Sequence, residues 1–302
     1  MDSYIGADSG STGVATVTGS GSQWNNSSNL TVGNSGTGTL NVEAGGVVTN
    51  TYGYLGYNSG STGEATVTGA NSHWNNSYNI DVGFSGTGTL NVTDGGGVSD
   101  TFGYLGLNAG STGEATVTGT DSQWNNSNSL YVGDGGTGTL NVEAGGVVSS
   151  TNGLVGSGSG STGTATLSGA GSEWNNSDDL YVGKTGTGTL NVEAGGVVSN
   201  TYGYLSSLSG STGEATVTGT GSQWNNSGDL YVGYDGDGTL NAEDGGTVSN
   251  SGDLIIGNGP DTVANIAGNG TVSVSGDLYM IGRYEDAGSA LNMLNGVKVS
   301  TV

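Results

Sequence analysis

Apolar and polar residues alternate in short runs along almost the whole chain, and clusters of Gly, Asn, Ser or Asp separate the runs. Alternation at every second residue is typical of a β-strand with one buried face. Three runs form a unit, as in LYVG, GTLNV and GVVSS from Leu130 onward. Because no segment has the 3.6-residue period and the end caps of an amphipathic helix, the pattern predicts an all-β protein.

The runs recur with a fixed period, which is marked by one tryptophan in each repeat. The five tryptophans are 50 residues apart, at Trp24, Trp74, Trp124, Trp174 and Trp224. Each repeat divides into a longer half of roughly 27 residues and a related shorter half of roughly 23 residues, and each half contains three predicted strands.

A half-repeat of this size cannot bury its inner face alone, so successive halves must stack, each strand pairing in parallel with its copy in the next coil. We therefore predict a right-handed parallel β-helix (β-solenoid) of about 12 coils, with about 25 residues and three strands per coil. Residues 1–250 form five repeats of two coils each. Residues 251–302 form two divergent coils that cap or continue the rod. The rod would be on the order of 55 to 60 Å long.

Aligning the two halves of a repeat identifies the predicted core. The alignment pairs Leu40 with Ala65 and Val48 with Trp74, so side-chain volume is roughly conserved from coil to coil, as close packing requires. An outward tryptophan that stacks on a sugar is the less favoured alternative. The predicted core residues are the five tryptophans together with Leu40, Leu90, Leu140, Leu190 and Leu240.

The composition narrows the function. The formal net charge is −23, and the chain has three basic residues, so binding to nucleic acid or to an anionic membrane surface is disfavoured. No segment is long and apolar enough to predict membrane insertion. The chain has no cysteine, which excludes disulfides and thiolate metal sites. An acidic, glycine-rich chain of this kind suits solubility outside a cell.

Candidate chemistry is sparse, and we expect no enzyme, no catalytic residue and no cofactor. The single histidine, His73, occupies a position that is Gln or Glu in the other repeats, and Glu64 and its copies are expected on a solvated face. The acidic residues predict at most weak calcium binding, by turn carboxylates such as Asp178 and Asp179. We therefore assign no metal ligands. A ladder containing Thr16 would suit an ice-binding surface, but the alternate coils interrupt it.

The motifs YVGxxGTGTLNVEAGG and GSTGEATVTGxxSQWNNS occur in the same order in each repeat, over about residues 4 to 250. They resemble the repeat family shared by autotransporter (type V secretion) passengers and PEP-CTERM surface proteins of bacteria. The resemblance implies an exported β-helical passenger or surface protein, secreted or held at a bacterial cell surface, and it carries no catalytic residues. This sequence contains neither a translocator barrel nor a sorting tail, so the resemblance leaves the export route open.

The repeat pattern, the charge and the resemblance support two functions of different class. The first is an extracellular structural stalk or filament subunit that self-associates through its ends, where Tyr4 and Ile5 lie in the first coil and Val297 and Val299 in the last strand. The second is an adhesin that binds a glycan or protein ligand along one face. An ice-binding or polysaccharide-active β-helix ranks behind both.

Overall fold

The chain folds into three long parallel sheets. The computed structural model describes residues 1–257, 259, 261–281, 290–293 and 298–301. Within them there are 36 strands and no helix. Every third strand belongs to the same sheet, so each turn of the chain adds one strand to each of three 12-stranded sheets. This architecture confirms the predicted parallel β-solenoid with three strands per coil.

In the first four coils the strands are β1 (Ser3–Ile5), β2 (Thr12–Thr18), β3 (Gln23–Asn25), β4 (Leu30–Val32), β5 (Thr37–Glu43), β6 (Val47–Asn50), β7 (Gly53–Leu55), β8 (Thr62–Thr68), β9 (His73–Asn76), β10 (Ile80–Val82), β11 (Thr87–Thr93) and β12 (Gly97–Asp100). In the next four they are β13 (Gly103–Leu105), β14 (Thr112–Thr118), β15 (Gln123–Asn126), β16 (Leu130–Val132), β17 (Thr137–Glu143), β18 (Val147–Ser150), β19 (Gly153–Val155), β20 (Thr162–Ser168), β21 (Glu173–Asn176), β22 (Leu180–Val182), β23 (Thr187–Glu193) and β24 (Val197–Asn200). In the last four they are β25 (Gly203–Leu205), β26 (Thr212–Thr218), β27 (Gln223–Asn226), β28 (Leu230–Val232), β29 (Asp237–Glu243), β30 (Thr247–Asn250), β31 (Leu254–Gly257), β32 (Val263–Ile266), β33 (Thr271–Val274), β34 (Leu278–Ile281), β35 (Ala290–Met293) and β36 (Lys298–Thr301).

We call the sheet that begins with β1 sheet A, the one that begins with β2 sheet B, and the one that begins with β3 sheet C. The strands pair in the register that the repeat alignment predicts. Leu40 lies beside Ala65 in sheet B, and Val48 lies beside Trp74 in sheet C. Small and large side chains therefore alternate along these two inner columns, in opposite phase, and the interior volume stays even from coil to coil.

The predicted core residues lie inside the rod, with one exception. Trp74, Trp124, Trp174 and Trp224 are 0% exposed, as are Leu40, Leu90, Leu140 and Leu190, and Leu240 is 1% exposed. Trp24 is only partly buried. Its strand β3 pairs with β6 alone, so a neighbouring coil covers the Trp24 ring from one side only.

In most coils, the turn that follows the sheet A strand requires a residue with a positive φ and no side chain. Gly83 has a φ of +75°, and a Cβ atom there would overlap the carbonyl of Thr112 in the next coil. In the first eight coils the glycine at this position combines a positive φ with the same close approach to a threonine carbonyl, and Ser206 takes this place in the ninth coil with a φ of 57°. The tight stacking of coils therefore depends on a column without side chains.

The divergent C-terminal segment continues all three sheets. Strands β31, β32 and β33 pair with β28, β29 and β30, so each of the three sheets extends beyond the fifth repeat. Of the two predicted assembly residues here, Val299 lies in β36 and pairs with Val272 of β33, and Val297 lies outside the described residues. Among the described residues there is no helix long and apolar enough to cross a membrane.

Candidate functional site

A column of polar side chains, which we call the polar column, runs inside the rod along sheet C with one residue per coil. All its members are buried, and they are Asn50, Asn76, Asp100, Asn126, Ser150, Asn176, Asn200, Asn226 and Asn250. This column was not predicted from the sequence. The signal was present, because Asn76 follows Trp74 by two residues, and the alternation of a strand places both on the inner face.

The polar column hydrogen-bonds the buried tryptophans. Each indole Nε1–H donates to the column residue of the preceding coil: Trp74 to Asn50 Oδ1 at 2.6 Å, Trp124 to Asp100 Oδ2 at 2.7 Å, Trp174 to Ser150 Oγ at 3.1 Å, and Trp224 to Asn200 Oδ1 at 2.7 Å. A buried indole N–H without a partner would be costly, so the column lets tryptophan occupy the core.

One coil carries two buried carboxyl groups, and no basic residue lies in it. Asp100 belongs to the polar column, and burial raises the pKa of its carboxyl well above the usual range, against the hydrogen bond from Trp124. Asp81 lies on the outer side of sheet A, paired with Tyr54 and Tyr104 of the adjacent coils. Its side chain is 3% exposed, and burial raises its pKa to about 7. Both acids lie in the fourth coil, β10 to β12.

The outer side of sheet A carries a stripe of aromatic rings, which we call the aromatic face. Every tyrosine and phenylalanine among the described residues lies in a sheet A strand or in a turn beside one. In the strands, Tyr104 stacks on Tyr131 with the ring centres 4.7 Å apart, and Tyr204 stacks on Tyr181 and on Tyr231 at 4.7 and 5.0 Å. Because these rings stack on one another along the rod, they present their edges outward.

Carboxylates border the C-terminal half of the aromatic face. The hydroxyls of three tyrosines donate to aspartates two residues earlier: Tyr181 to Asp179 at 2.9 Å, Tyr231 to Asp229 at 3.1 Å, and Tyr279 to Asp277 at 3.1 Å. Burial, with the hydrogen bond and the charge of Asp229, raises the pKa of Tyr231 to about 12. The Lys184 ammonium lies 5.2 Å from the centre of the Tyr181 ring. The face therefore offers ring edges, hydroxyls and carboxylates together.

The first coil presents an uncovered apolar edge. Strand β2 pairs only with β5 among the described residues, and its Val14 is 66% exposed. Of the two predicted assembly residues in this coil, Tyr4 is 52% exposed and Ile5 is 6% exposed. Trp24 packs against the core but is partly exposed at the same end. Val14 and Tyr4 belong to outward-facing columns, where they pair with Thr39 and Thr31 of the next coil. The core side chains that are only partly buried at this end are Ala15, Val17 and Trp24.

No protein-family model matches the sequence, and no curated protein matches it. Among solved structures, the crystal structure of a TibC-catalysed hyper-glycosylated TibA fragment is similar, at 18% sequence identity. The match covers 97% of this chain and 100% of that one, with a TM-score of 0.48. Membership of the autotransporter and PEP-CTERM repeat family therefore stays a prediction from the motifs.

Four clefts on the rod are open and are lined largely by polar residues. One of about 480 Å³ is lined by His73, Asn75, Asp121 and Asn125 among others. Three equivalent clefts of about 360 to 410 Å³, lined mainly by Asn, Ser and Thr, recur along the turns between sheets C and A. In the described part of the chain, no three His, Cys, Asp or Glu side chains lie close enough together to hold a metal ion.

Proposed function

We propose that the protein is a stiff structural stalk, secreted by or held at the surface of a bacterial cell. The observation that carries this proposal is the unbroken stacking of coils. Each of the three sheets pairs strand to strand along the rod, and a single hydrophobic core extends from Ile5 to Val274. Bending such a rod would break the pairing between parallel strands of neighbouring coils, so the rod resists bending. Its function is to act as a stiff spacer of fixed length.

The arrangement of carboxylates supports a structural role over a catalytic one. Glu64, Glu114 and Glu214 are exposed on the outer side of sheet B, and threonines occupy that position in the coils between them, for example Thr89 beside Glu64. A general acid and a general base must both reach one bond of a substrate. Carboxylates spaced two and four coils apart on a flat, solvated face suit solubility instead.

Electron microscopy together with small-angle X-ray scattering tests the stalk. We expect straight rods of uniform width, on the order of 55 to 60 Å long for one chain. A compact particle, or a chain that bends freely between repeats, would refute the stalk.

We further propose that the rods associate end to end. The exposed edge of β2 and the partly covered Trp24 ring offer a parallel strand edge and apolar surface to another copy, and this contact is heterologous and extends without closing. Sedimentation should show concentration-dependent association that is lost when Tyr4 and Ile5 are made charged and Val297 and Val299 are replaced by proline. An intact protein that stays monomeric at high concentration would overturn end-to-end association and leave the stalk proposal standing.

The aromatic face favours a second candidate, an adhesin that binds a glycan along sheet A. An exposed apolar stripe bordered by polar groups is typical of a binding surface. Tyr204→Ser and Tyr231→Ser should abolish binding on a glycan array, and Thr139→Ser on sheet B should not. Absence of glycan binding by the intact protein, or equal loss in the sheet B variant, would remove this candidate.

A further inference from the structure

The position that Asp100 occupies requires a group that both accepts and donates a hydrogen bond. In the second and eighth coils, Asn50 and Asn200 accept the indole N–H through Oδ1. Through Nδ2 they donate to the Oδ1 atoms of Asn76 and Asn226 in the next coil, at 2.6 Å in both cases. The hydrogen bond from each of these positions to the next coil forms only when the residue there supplies a proton.

Serine performs the same two tasks in the sixth coil. The Ser150 hydroxyl accepts from Trp174 Nε1 at 3.1 Å and donates to Asn176 Oδ1 at 2.6 Å. Three coils with two different residue types therefore share one pattern: the residue that accepts from the indole donates a hydrogen bond to an asparagine Oδ1 in the next coil.

Asp100 breaks this pattern if its carboxyl is ionised. Its Oδ2 accepts from Trp124 at 2.7 Å, like the other members. Its Oδ1 is buried without a hydrogen-bond partner, and so is Oδ1 of Asn126, the next residue along the column. The Oδ1 atoms of Asp100 and Asn126 therefore both lack a donor, whereas the equivalent pairs of residues in the other three coils are joined by a hydrogen bond. An unpaired pair of buried acceptors is costly.

Turning the Asn126 amide over does not resolve the mismatch. In its present orientation, Asn126 Nδ2 donates to the backbone carbonyl of Ser149 at 3.1 Å. The opposite orientation would point Nδ2 at Asp100, but it would place Oδ1 against the Ser149 carbonyl oxygen. One missing bond would be exchanged for another, so neither amide orientation satisfies every buried polar atom while Asp100 is ionised.

Among the described residues, no lysine or arginine side chain lies on a strand that pairs or packs with β12, the strand of Asp100. Of the strands that pair or pack with β12, β9 carries His73 and β8 carries Glu64, and both side chains are exposed on the outside of the rod. Strand β15 carries no titratable residue. The charge of Asp81 in the same coil acts on Asp100 with the wrong sign to stabilise an anion. An isolated buried carboxylate is among the most unfavourable groups in a protein interior.

We infer that Asp100 is a neutral carboxylic acid in the folded rod, and that its Oδ1–H donates to Asn126 Oδ1. The proton completes the polar column as Asn50 Nδ2 does in the second coil. It also makes the fourth coil a pH-sensitive element, because the folded chain holds a proton that the unfolded chain releases. Burial raises the pKa of this carboxyl, in agreement with the hydrogen-bond pattern.

The direction of the pH effect follows from linkage. The stabilisation by the bound proton is complete below the ordinary carboxyl pKa of about 3.9, and it is lost as pH rises toward the raised pKa of the folded state. Within that window, the equilibrium constant for unfolding the fourth coil should rise by up to about tenfold per pH unit for this one proton.

Asp100→Asn tests the inference, because asparagine is the residue of this column in the second and eighth coils and supplies the amide N–H without a titratable proton. The comparison is made in an Asp81→Asn background, so that the second buried acid does not contribute. We expect the protection of β12 and β15 in hydrogen exchange to decrease with pH in the Asp81→Asn protein, after correction for the intrinsic exchange rate. In Asp81→Asn/Asp100→Asn the decrease should be absent.

A direct readout of the proton completes the test. At neutral pH the infrared spectrum of the Asp81→Asn protein should contain the carbonyl stretch of a protonated carboxylic acid in a non-exchanging environment, and adding Asp100→Asn should remove it. Asp100→Ser, which copies the sixth coil, provides a second variant if asparagine packs poorly. Equal pH dependence with and without Asp100, or a carboxylate in place of the acid band, would overturn the inference.

Discussion

Replacing Trp124 with alanine should strongly destabilise the middle of the rod. The Trp124 ring is 0% exposed and lies in sheet C between Val98 and Val148 of the adjacent coils. Removing a buried aromatic ring of this size costs about 3 to 5 kcal/mol, because the transfer free energy is lost and a cavity is left. The Asp100 carboxyl also loses its indole donor, which places the expected loss toward the upper end of that range.

Trp24 offers a matched control within the same chain. It occupies the same position of the repeat but is partly exposed, and it has one neighbour in its sheet column, Val48, where Trp124 has two. We expect Trp24→Ala to cost about half as much, roughly 2 kcal/mol. Trp124→Phe keeps a six-membered ring but removes the pyrrole part of the indole with its N–H donor, so its cost should lie between those of the two alanine variants.

Repeat proteins need not unfold in a single step, so the assay must resolve individual coils. Urea denaturation followed by circular dichroism gives the overall loss, and hydrogen exchange with mass spectrometry locates it. In Trp124→Ala the loss of protection should centre on β12, β15 and β18. A change within about 0.5 kcal/mol, typical of a surface position, would refute burial of the ring. An equal cost for Trp24→Ala would show that the second neighbouring coil contributes nothing to the stability of the ring.

Three further predictions concern the glycine column, the buried acid of sheet A and the overall shape. Gly83→Ala and Gly110→Ala both place alanine at a positive φ, which costs about 1 to 2 kcal/mol of stability. Only at Gly83 would the new Cβ atom also overlap a neighbouring carbonyl, so Gly83→Ala should cost clearly more in urea denaturation. Equal costs would contradict the close approach. Protonation of Asp81 should stabilise the rod fully below about pH 4, and up to about 4 kcal/mol of that stabilisation should be lost as pH rises to about 7. Asp81→Asn should remove this contribution and leave that of Asp100, and an unchanged pH profile would show that the Asp81 carboxyl is not buried. Far-ultraviolet circular dichroism should show β-structure with almost no helix, and substantial helix would be incompatible with the solenoid.

The 50-residue period and the alternation of polar and apolar residues were enough to predict the parallel solenoid, its three strands per coil and the register of Leu40 beside Ala65. The physical reason is that a half-repeat can bury its apolar face only against its own copy. When coils stack in register, neighbours in space are the residues that a sequence alignment places in one column. In a repeat protein, the strand pairing can therefore be predicted by aligning each repeat with the next one.

Tertiary structure decided which columns face inward and what fills them. The alternation from Trp74 points Asn76 inward, but only the stacked coils show that Asn50 and its equivalents satisfy the indole N–H inside the core. Exposure likewise depends on the neighbouring coils. Trp24 is partly exposed because one side has no neighbour, and Asp81 is buried because its column places it between Tyr54 and Tyr104. Aligning the repeats shows which residue types share a position. The burial and the pKa of a side chain depend instead on which side chains of the neighbouring coils pack against it.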